Sequence, residues 1–290
     1  MSNIVLVTGA TGTLGSEIVK ILAEARVKVR AAVKTKDKSW KIPAVGVEVV
    51  EINMEVPETL SAAFVDVEKL ILITPFNEKM VEYTKNLVNA AKKSGVKHIV
   101  KISALGADPN ANMIFAKLHG EAEQIIVNSG INWTFLRPNM FMQYFLSMHG
   151  DNIRNKKSFY APAARGKTSF VDARDVAECA ASVTLMNGYE GNTYTLTGPE
   201  AMDHRGFEHI LSGVTGDLIK YYPIEEEEFV QTMKSSGVSD WNISAFSELF
   251  RAMRDEQLAA LTDDVRLLTG KRARSLTQFS NDYRKEFKAK

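Results

Sequence analysis

Three glycines spaced three residues apart, Gly9, Gly12 and Gly15, lie in the run Val7-Thr8-Gly9-Ala10-Thr11-Gly12-Thr13-Leu14-Gly15. A β-branched stretch, Ile4–Thr8, precedes them, and a stretch with helical apolar spacing follows. Strand, glycine turn and helix in that order suit the holding of a pyrophosphate. Gly9 permits the tight turn, Gly12 lets the backbone come close to the phosphates, and Gly15 lets the helix pack closely on the sheet. The helix N-terminus offers N–H groups and the positive end of its dipole to the anion. Glycine patterns also occur in turns that bind nothing, and here the flanking strand and helix select the dinucleotide reading.

The second strand bears on which dinucleotide. NAD-binding units place an acidic residue about 20 residues past the motif, where it hydrogen-bonds the ribose 2′-hydroxyl. This strand ends Val33-Lys34-Thr35-Lys36-Asp37-Lys38, with Lys34 where the acid would stand and Lys36 and Lys38 adding positive charge. A carboxylate there repels a 2′-phosphate and an ammonium attracts it. NADP(H) is therefore expected over NAD(H); a solvated surface turn is the alternative for these lysines.

The elements that must position this turn follow from periodicity. Nearly continuous apolar runs predict strands at Ile4–Thr8, Lys28–Val33, Glu48–Ile52, Lys69–Thr74, His98–Ser103 and Trp133–Arg137. Helical patterns fall between them near Leu14–Ala25, Glu58–Phe64, Met80–Ser94 and Lys117–Ser129. That alternation predicts an α/β fold, a Rossmann-type doubly wound parallel sheet covered by helices on both faces. After Pro138 the alternation breaks. A strand at Ser169–Val171, a helix over Arg174–Leu185 and a strand at Thr193–Leu196 follow, and from Pro223 the chain reads as helical. The expected organisation is a dinucleotide-binding domain over 1–150 and a smaller, mainly helical substrate lobe over 151–290, with 168–196 returning to the Rossmann core and the active cleft between the two.

Composition narrows the partners. A 290-residue chain with 45% hydrophobic and 24% charged residues is that of an ordinary globular protein. A net charge of +1 supplies no field for nucleic acid or an anionic membrane, so neither is an expected partner. The lone cysteine, Cys179, and a start without signal-peptide features lead to an expected cytoplasmic location, as monomer or homodimer. His98, His149, His204 and His209 show no metal-ligand spacing, and no metal is expected.

Several segments together resemble the NmrA-like branch of the atypical short-chain dehydrogenase/reductase superfamily. They are the glycine run, Ile102-Ser103-Ala104-Leu105-Gly106-Ala107, Leu136-Arg137-Pro138-Asn139-Met140-Phe141-Met142-Gln143 and Phe170-Val171-Asp172-Ala173-Arg174-Asp175-Val176-Ala177. Thr195-Leu196-Thr197-Gly198-Pro199-Glu200 and Leu261-Thr262-Asp263-Asp264-Val265 extend the resemblance over essentially the whole chain. Within that branch it is similar to type-two NAD(P)H:quinone oxidoreductases and triphenylmethane dye reductases. The resemblance implies that Gly9, Thr11, Gly12, Thr13, Leu14 and Gly15 hold the pyrophosphate, and Lys34 the 2′-phosphate. It places Asn53 and Met54 near the adenine, and Thr74, Pro75, Phe76, Ser103 and Ala104 along the ribose and nicotinamide. Asn139 would reach the nicotinamide face, and Phe76, Met140, Phe141 and Met142 the substrate.

One part of the superfamily pattern is missing. Its Tyr-x-x-x-Lys pair supplies a proton donor and a lysine that lowers the donor's pKa. The corresponding segment is Phe115-Ala116-Lys117-Leu118-His119, with phenylalanine and histidine in those two places. Two readings follow: direct hydride transfer from NADPH to a conjugated acceptor such as a quinone, or a non-catalytic NADP(H)-binding redox sensor. His119, with Ser103 nearby, is the candidate catalytic group because its imidazole titrates around neutral pH. A ribose contact, a proton relay and an ordinary helix histidine all remain open for it. Asp172 and Asp175 read as a helix cap and a first-turn charge. Trp241, Phe246 and Phe250 either close an apolar pocket or pack their helix down.

Overall fold

The β-branched runs of the first half form buried strands of one sheet, as their two-sided apolar character requires. A computed structural model describes residues 4–42 and 45–288. Its strands are β1 (Ile4–Val7), β2 (Lys28–Val33), β3 (Glu48–Glu51), β4 (Val67–Leu72), β5 (His98–Ile102) and β6 (Asn132–Pro138). Between them lie α1 (Thr13–Glu24), α2 (Pro57–Ala63), α3 (Met80–Lys93) and α4 (Ile114–Ser129). After β6 come α5 (Tyr144–Lys156), β7 (Ser158–Ala161), α6 (Ala173–Leu185), β8 (Asn192–Leu196), α7 (His204–Thr215), β9 (Lys220–Pro223) and the helices α8 (Glu226–Ser235), α9 (Asp240–Arg254), α10 (Asp264–Thr269), α11 (Leu276–Asp282) and α12 (Arg284–Phe287).

The seven-stranded sheet has the order β3-β2-β1-β4-β5-β6-β8. β1 pairs in parallel with β2 and β4, β2 with β3, β4 with β5, and β5 with β6. Strand order reverses between β1 and β4, and open sheets of this kind bind ligands beyond the carboxyl ends of the strands at that reversal. Leu60, Phe64, Leu70, Leu87 and Ile99 are fully buried in the core that α2 and α3 share with the sheet. Each such side chain contributes about 1.5–3 kcal/mol through burial. Gly95 after α3 and Gly130 after α4 have φ of 76°, the left-handed conformation that ends a helix without a Cβ penalty.

Two compact units divide the chain, Met1–Arg137 with Val176–Thr195, and Pro138–Asp175 with Leu196–Lys290. The division falls after Arg137, not near residue 150, and the returning segment is 176–195. The physical reason lies in Asn139, whose backbone N–H bonds to Leu196 and whose side chain bonds to Ser169 and Leu258, all in the second unit.

The second unit departs from the expected pattern. Ser169–Val171 forms no strand; its neighbourhood holds only isolated bridges, Thr168 to Met202 and Phe141 to Val171. β7 and β9, absent from the periodic pattern, pair in parallel from Ser158 opposite Lys220 to Ala161 opposite Pro223. The unit's core is aromatic. Phe145 of α5 stacks on Phe207 of α7 with ring centres 3.6 Å apart, and Phe159 and Phe170 are also fully buried. Among the described residues, no helix is long and apolar enough to cross a membrane.

Candidate functional site

At the end of β1 the Thr8 hydroxyl fixes the glycine turn against β4. It donates to the Ile73 carbonyl at 2.8 Å and accepts from the Ile73 N–H at 2.8 Å. Gly9 has φ +64°, and a Cβ there would sit 3.2 Å from the Ile73 side chain. Gly15 needs its missing side chain for another reason: a Cβ would lie 2.2 Å from the Gly9 carbonyl oxygen. The close packing at Gly15 is therefore of helix against turn. Gly12 differs from both. Its φ of −80° and ψ of 168° suit any residue, and the nearest atom to a Cβ would be the Gly9 oxygen at 3.3 Å. Nothing in the fold demands glycine at that position, which leaves clear space before an α1 N-terminus that carries no side-chain cap. Thr13 is exposed and Thr11 half-buried beside it, while Leu14 is buried and has only its backbone to offer.

Beyond β2, Lys34 is exposed, and no hydrogen bond or ion pair to a described residue engages its ammonium. Lys36 is exposed as well; its backbone N–H points to Glu51 at 3.3 Å. The Lys38 side chain lies outside the described residues. After β3, Asn53 is exposed with its side-chain oxygen turned to the Glu55 N–H, and half-buried Met54 packs against the core. Glu55 pairs with Lys79 at 2.9 Å and accepts from Tyr83 at 2.7 Å. The Lys79 and Tyr83 hydrogen bonds hold its carboxyl below the usual carboxylate range.

β4 ends at Leu72, two residues earlier than its apolar pattern suggests, so Thr74, Pro75 and Phe76 all lie in the loop beyond it. The Thr74 hydroxyl is buried without a hydrogen-bond partner among the described residues. An orphaned buried hydroxyl is unusual in a native fold and fits a polar group absent from the protein itself. Phe76 stacks on Phe115 of α4, ring centres 3.7 Å apart and planes 4° from parallel.

The carboxyl end of β5 is more polar inside than expected. Ser103 is buried, and its hydroxyl donates to Glu123 at 2.5 Å. That carboxylate also accepts from Arg137 of β6 at 2.9 and 2.5 Å. The Ser103 proton is thus committed to Glu123, and no hydrogen bond joins Ser103 to His119. Ala104 is half-buried just beyond. His119 does not titrate near neutrality as expected. Burial, and then the charge of Lys101, keep its imidazole neutral, with a pKa well below the ordinary 6.5. Its Nδ1 is buried and unpartnered.

Lys101 itself was not among the expected site residues. It is 0% exposed within β5, and its ammonium donates to the Ile102 carbonyl. Burial pushes that ammonium down to about 7, with the Glu123 charge opposing the shift. The signal was visible in His98-Ile99-Val100-Lys101-Ile102, since a lysine seldom sits inside a strand buried on both faces.

The expected segment after β6 belongs to the second unit. Asn139 spends its amide on Ser169 at 2.7 Å and on Leu258 at 2.8 Å, and its oxygen accepts the Met140 N–H. Met142 is fully buried against its own unit, so it has no surface with which to line a substrate pocket. Met140 and Phe141 are half-buried. Asp172 caps α6, accepting from the Arg174 N–H at 2.9 Å, and Asp175 pairs with Arg274, so both are structural.

A parallel sheet that reverses between β1 and β4, with a glycine turn and an uncapped helix at the reversal, defines an NAD(P)-binding protein of the Rossmann type. The chain belongs to the NmrA-like family, whose profile matches residues 1–265. Over 285 residues it is 35% identical to the NAD(P)H azoreductase of Xenophilus azovorans, spanning 98% of this chain and 99% of that protein. It matches the structure of the Escherichia coli NADPH-dependent quinone oxidoreductase complexed with NADPH, with TM-score 0.86, 27% identity and coverage of 96% and 99% of the two chains. The Citrobacter sp. triphenylmethane reductase complexed with NADP(H) matches with TM-score 0.85, 26% identity and the same coverage.

Proposed function

We propose that the chain is an NADPH-dependent reductase that passes hydride directly to a conjugated acceptor of the quinone type. The observation that carries this reading is the Phe76–Phe115 stack. Where the superfamily sets its proton donor, this chain sets a ring with no proton to give, tied to the loop beyond β4. An acceptor that needs no acid in the hydride step suits such a site. A quinone is protonated after it has been reduced, and a cationic conjugated dye is neutralised by hydride alone.

The residues present fit the dinucleotide. The space before Gly12, the uncapped α1 N-terminus, the Lys34 ammonium without a partner among the described residues and the orphaned Thr74 hydroxyl would each suit a group that NADPH carries, which supports this reading. Gly9, Thr11, Gly12, Thr13, Leu14 and Gly15 would hold the pyrophosphate, Leu14 through its backbone, and Lys34 the 2′-phosphate. Asn53 and Met54 would border the adenine, and Thr74, Pro75, Phe76 and Ala104 the ribose and nicotinamide. When bound, the reduced nicotinamide supplies the hydride. Phe76 would present apolar surface to the acceptor. The relatives include an NAD(P)H azoreductase, an NADPH-dependent quinone oxidoreductase and a triphenylmethane reductase, which supports a conjugated acceptor here.

The test is titration with NADPH and NADH, followed by oxidation assays on a panel of quinones, azo dyes and cationic dyes. Tighter binding of NADPH and turnover on quinones are expected. Tight binding with no turnover on any acceptor would move the reading to a redox sensor. If neither dinucleotide binds, both readings fail.

A further inference from the structure

β7 and β9 turn one face into the second unit and leave the other open. Phe159 and Tyr221 are buried in the aromatic core, and the alternate residues, Ser158 and Tyr160 opposite Lys220 and Tyr222, share the outer face. The Tyr160 and Tyr222 rings have centres 5.4 Å apart and planes 18° from parallel, and both rings are exposed. The Ser158 hydroxyl donates to the Tyr160 oxygen at 3.3 Å. With Leu218, 74% exposed, and with Lys156 and Lys157 from the end of α5, these side chains line a groove of about 420 Å³. That volume is on the scale of small-molecule sites.

The charge around the groove is one-sided. Lys156 and Lys220 are exposed, and no ion pair to a described residue engages either ammonium. The carboxylate next to Leu218, Asp217, is neutralised by Lys157 at 2.7 Å. Lys157 itself ends α5 with φ 54°, in the left-handed region. α4, α7 and α10 end in that same conformation with Gly130, Gly216 and Gly270, which adopt it without steric cost. A lysine at this position is conformationally unfavourable, and what it supplies is a cation at the groove. Just past β9, Glu225, Glu227 and Glu228 are exposed. They repel an extended polyanion laid along this face, whether nucleic acid, acidic chain or anionic lipid, and the net charge of +1 adds no long-range attraction. The anion that fits is therefore small.

We propose that this groove binds a small planar aromatic carboxylate, its rings against Tyr160 and Tyr222 and its carboxylate between the Lys156 and Lys220 ammoniums. Offset stacking on the tyrosines holds the rings, and charge-assisted hydrogen bonds hold the acid group. Leu218 adds apolar surface at the edge. The site is built from the second unit alone and does not rest on the reductase reading.

The experiment is isothermal titration of the full chain with 2-naphthoate, with 2-naphthamide as the same ring system without the charge. One site per chain is expected, weakening as salt is added, with the amide roughly tenfold weaker or more. Lys156→Gln combined with Lys220→Gln should weaken naphthoate roughly three- to thirtyfold, and Tyr222→Ala roughly three- to tenfold. Lys157→Gly separates site from fold. Its melting temperature should hold or rise, because glycine accepts the left-handed conformation, while affinity falls roughly threefold with Asp217 left uncompensated. Saturating NADP+ should leave naphthoate binding unchanged. Absence of binding, equal binding of the amide, or wild-type affinity in the lysine and tyrosine variants overturns the proposal. Competition by NADP+ would place naphthoate in the dinucleotide site and overturn it as well. A dimer in light scattering that Lys220→Glu dissociates would give this face to a second copy, with the same consequence.

Discussion

Gly12→Ala and Gly15→Ala separate what the glycine turn does for the fold from what it does for a ligand. At position 15 the new methyl would stand 2.2 Å from the Gly9 oxygen, whereas ordinary contact begins near 3.4 Å, so the turn or the helix must move by more than an ångström. That same oxygen accepts the Gly12 N–H at 3.0 Å, so the shift also disturbs the hydrogen bond that closes the turn. Overpacking of this kind costs about 1–3 kcal/mol, and the better helix propensity of alanine returns up to about 1 kcal/mol. A net loss of about 1–2 kcal/mol of stability is expected, and weaker binding of NADPH with it. At position 12 the methyl would meet one atom at 3.3 Å, in a conformation alanine adopts freely. Replacing a glycine N-cap by alanine costs at most about 1 kcal/mol. The methyl does occupy the space where a pyrophosphate would approach, and there a loss of at least about 1.4 kcal/mol, tenfold in affinity, is expected. Calorimetric melting of the free protein and isothermal titration with NADPH measure the two quantities separately. Wild-type NADPH affinity in Gly12→Ala would refute the reasoning about the phosphate cradle. Wild-type stability in Gly15→Ala would refute the packing argument.

Two further outcomes are expected. Lys34→Ala should weaken NADPH by about 1.5–3 kcal/mol, the scale of a charge-assisted hydrogen bond, and leave NADH nearly unchanged; equal losses for both dinucleotides would remove Lys34 from the 2′-phosphate site. His149 and His204 should make folding acid-sensitive, since burial pushes their imidazoles down from 6.5 to about 3 and about 4. These folded values lie below the unfolded one, so the stability involved is complete above about pH 6.5 and drains away as pH falls toward 4. At about pH 5 each buried ring costs about 2 kcal/mol, from 1.36 kcal/mol per pKa unit. Urea unfolding at about pH 7.5 and pH 5 should show that loss, and His204→Leu should remove about half of it; an identical acid loss in the variant would count against the assignment.

What could be read in the sequence was local. The glycine turn reveals itself because backbone conformation, close approach and helix onset are set within nine residues. Lys34 could be placed because it directly follows β2. The Phe76–Phe115 stack could not, because it joins a loop to a helix through the arrangement of β4, β5 and α4. The same holds for β7 and β9, which pair across more than fifty residues with no periodic signal in either strand. His119 was singled out from its position on α4, and its expected titration failed because the burial of its ring, and the reach of the Lys101 charge to it, follow from how α4 packs on β5 and not from any local pattern. Asn139 and Met142 were placed correctly in the chain, but hydrogen bonding and packing within the second unit occupy them.

On the reductase reading, the departures at positions 115 and 119 belong together. A tyrosine donor requires a neighbouring cation to lower its pKa, and on α4 both members of that arrangement are uncharged here: a stacked phenyl ring and a neutral imidazole. A simple ketone, which needs its oxygen protonated as hydride arrives, is poorly served by such a site. A quinone spreads the incoming charge over its own conjugated framework and can wait for its proton. On that reading, acceptor choice is governed by the electronic structure of the acceptor, and relatives that are an NAD(P)H azoreductase, an NADPH-dependent quinone oxidoreductase and a triphenylmethane reductase accord with it.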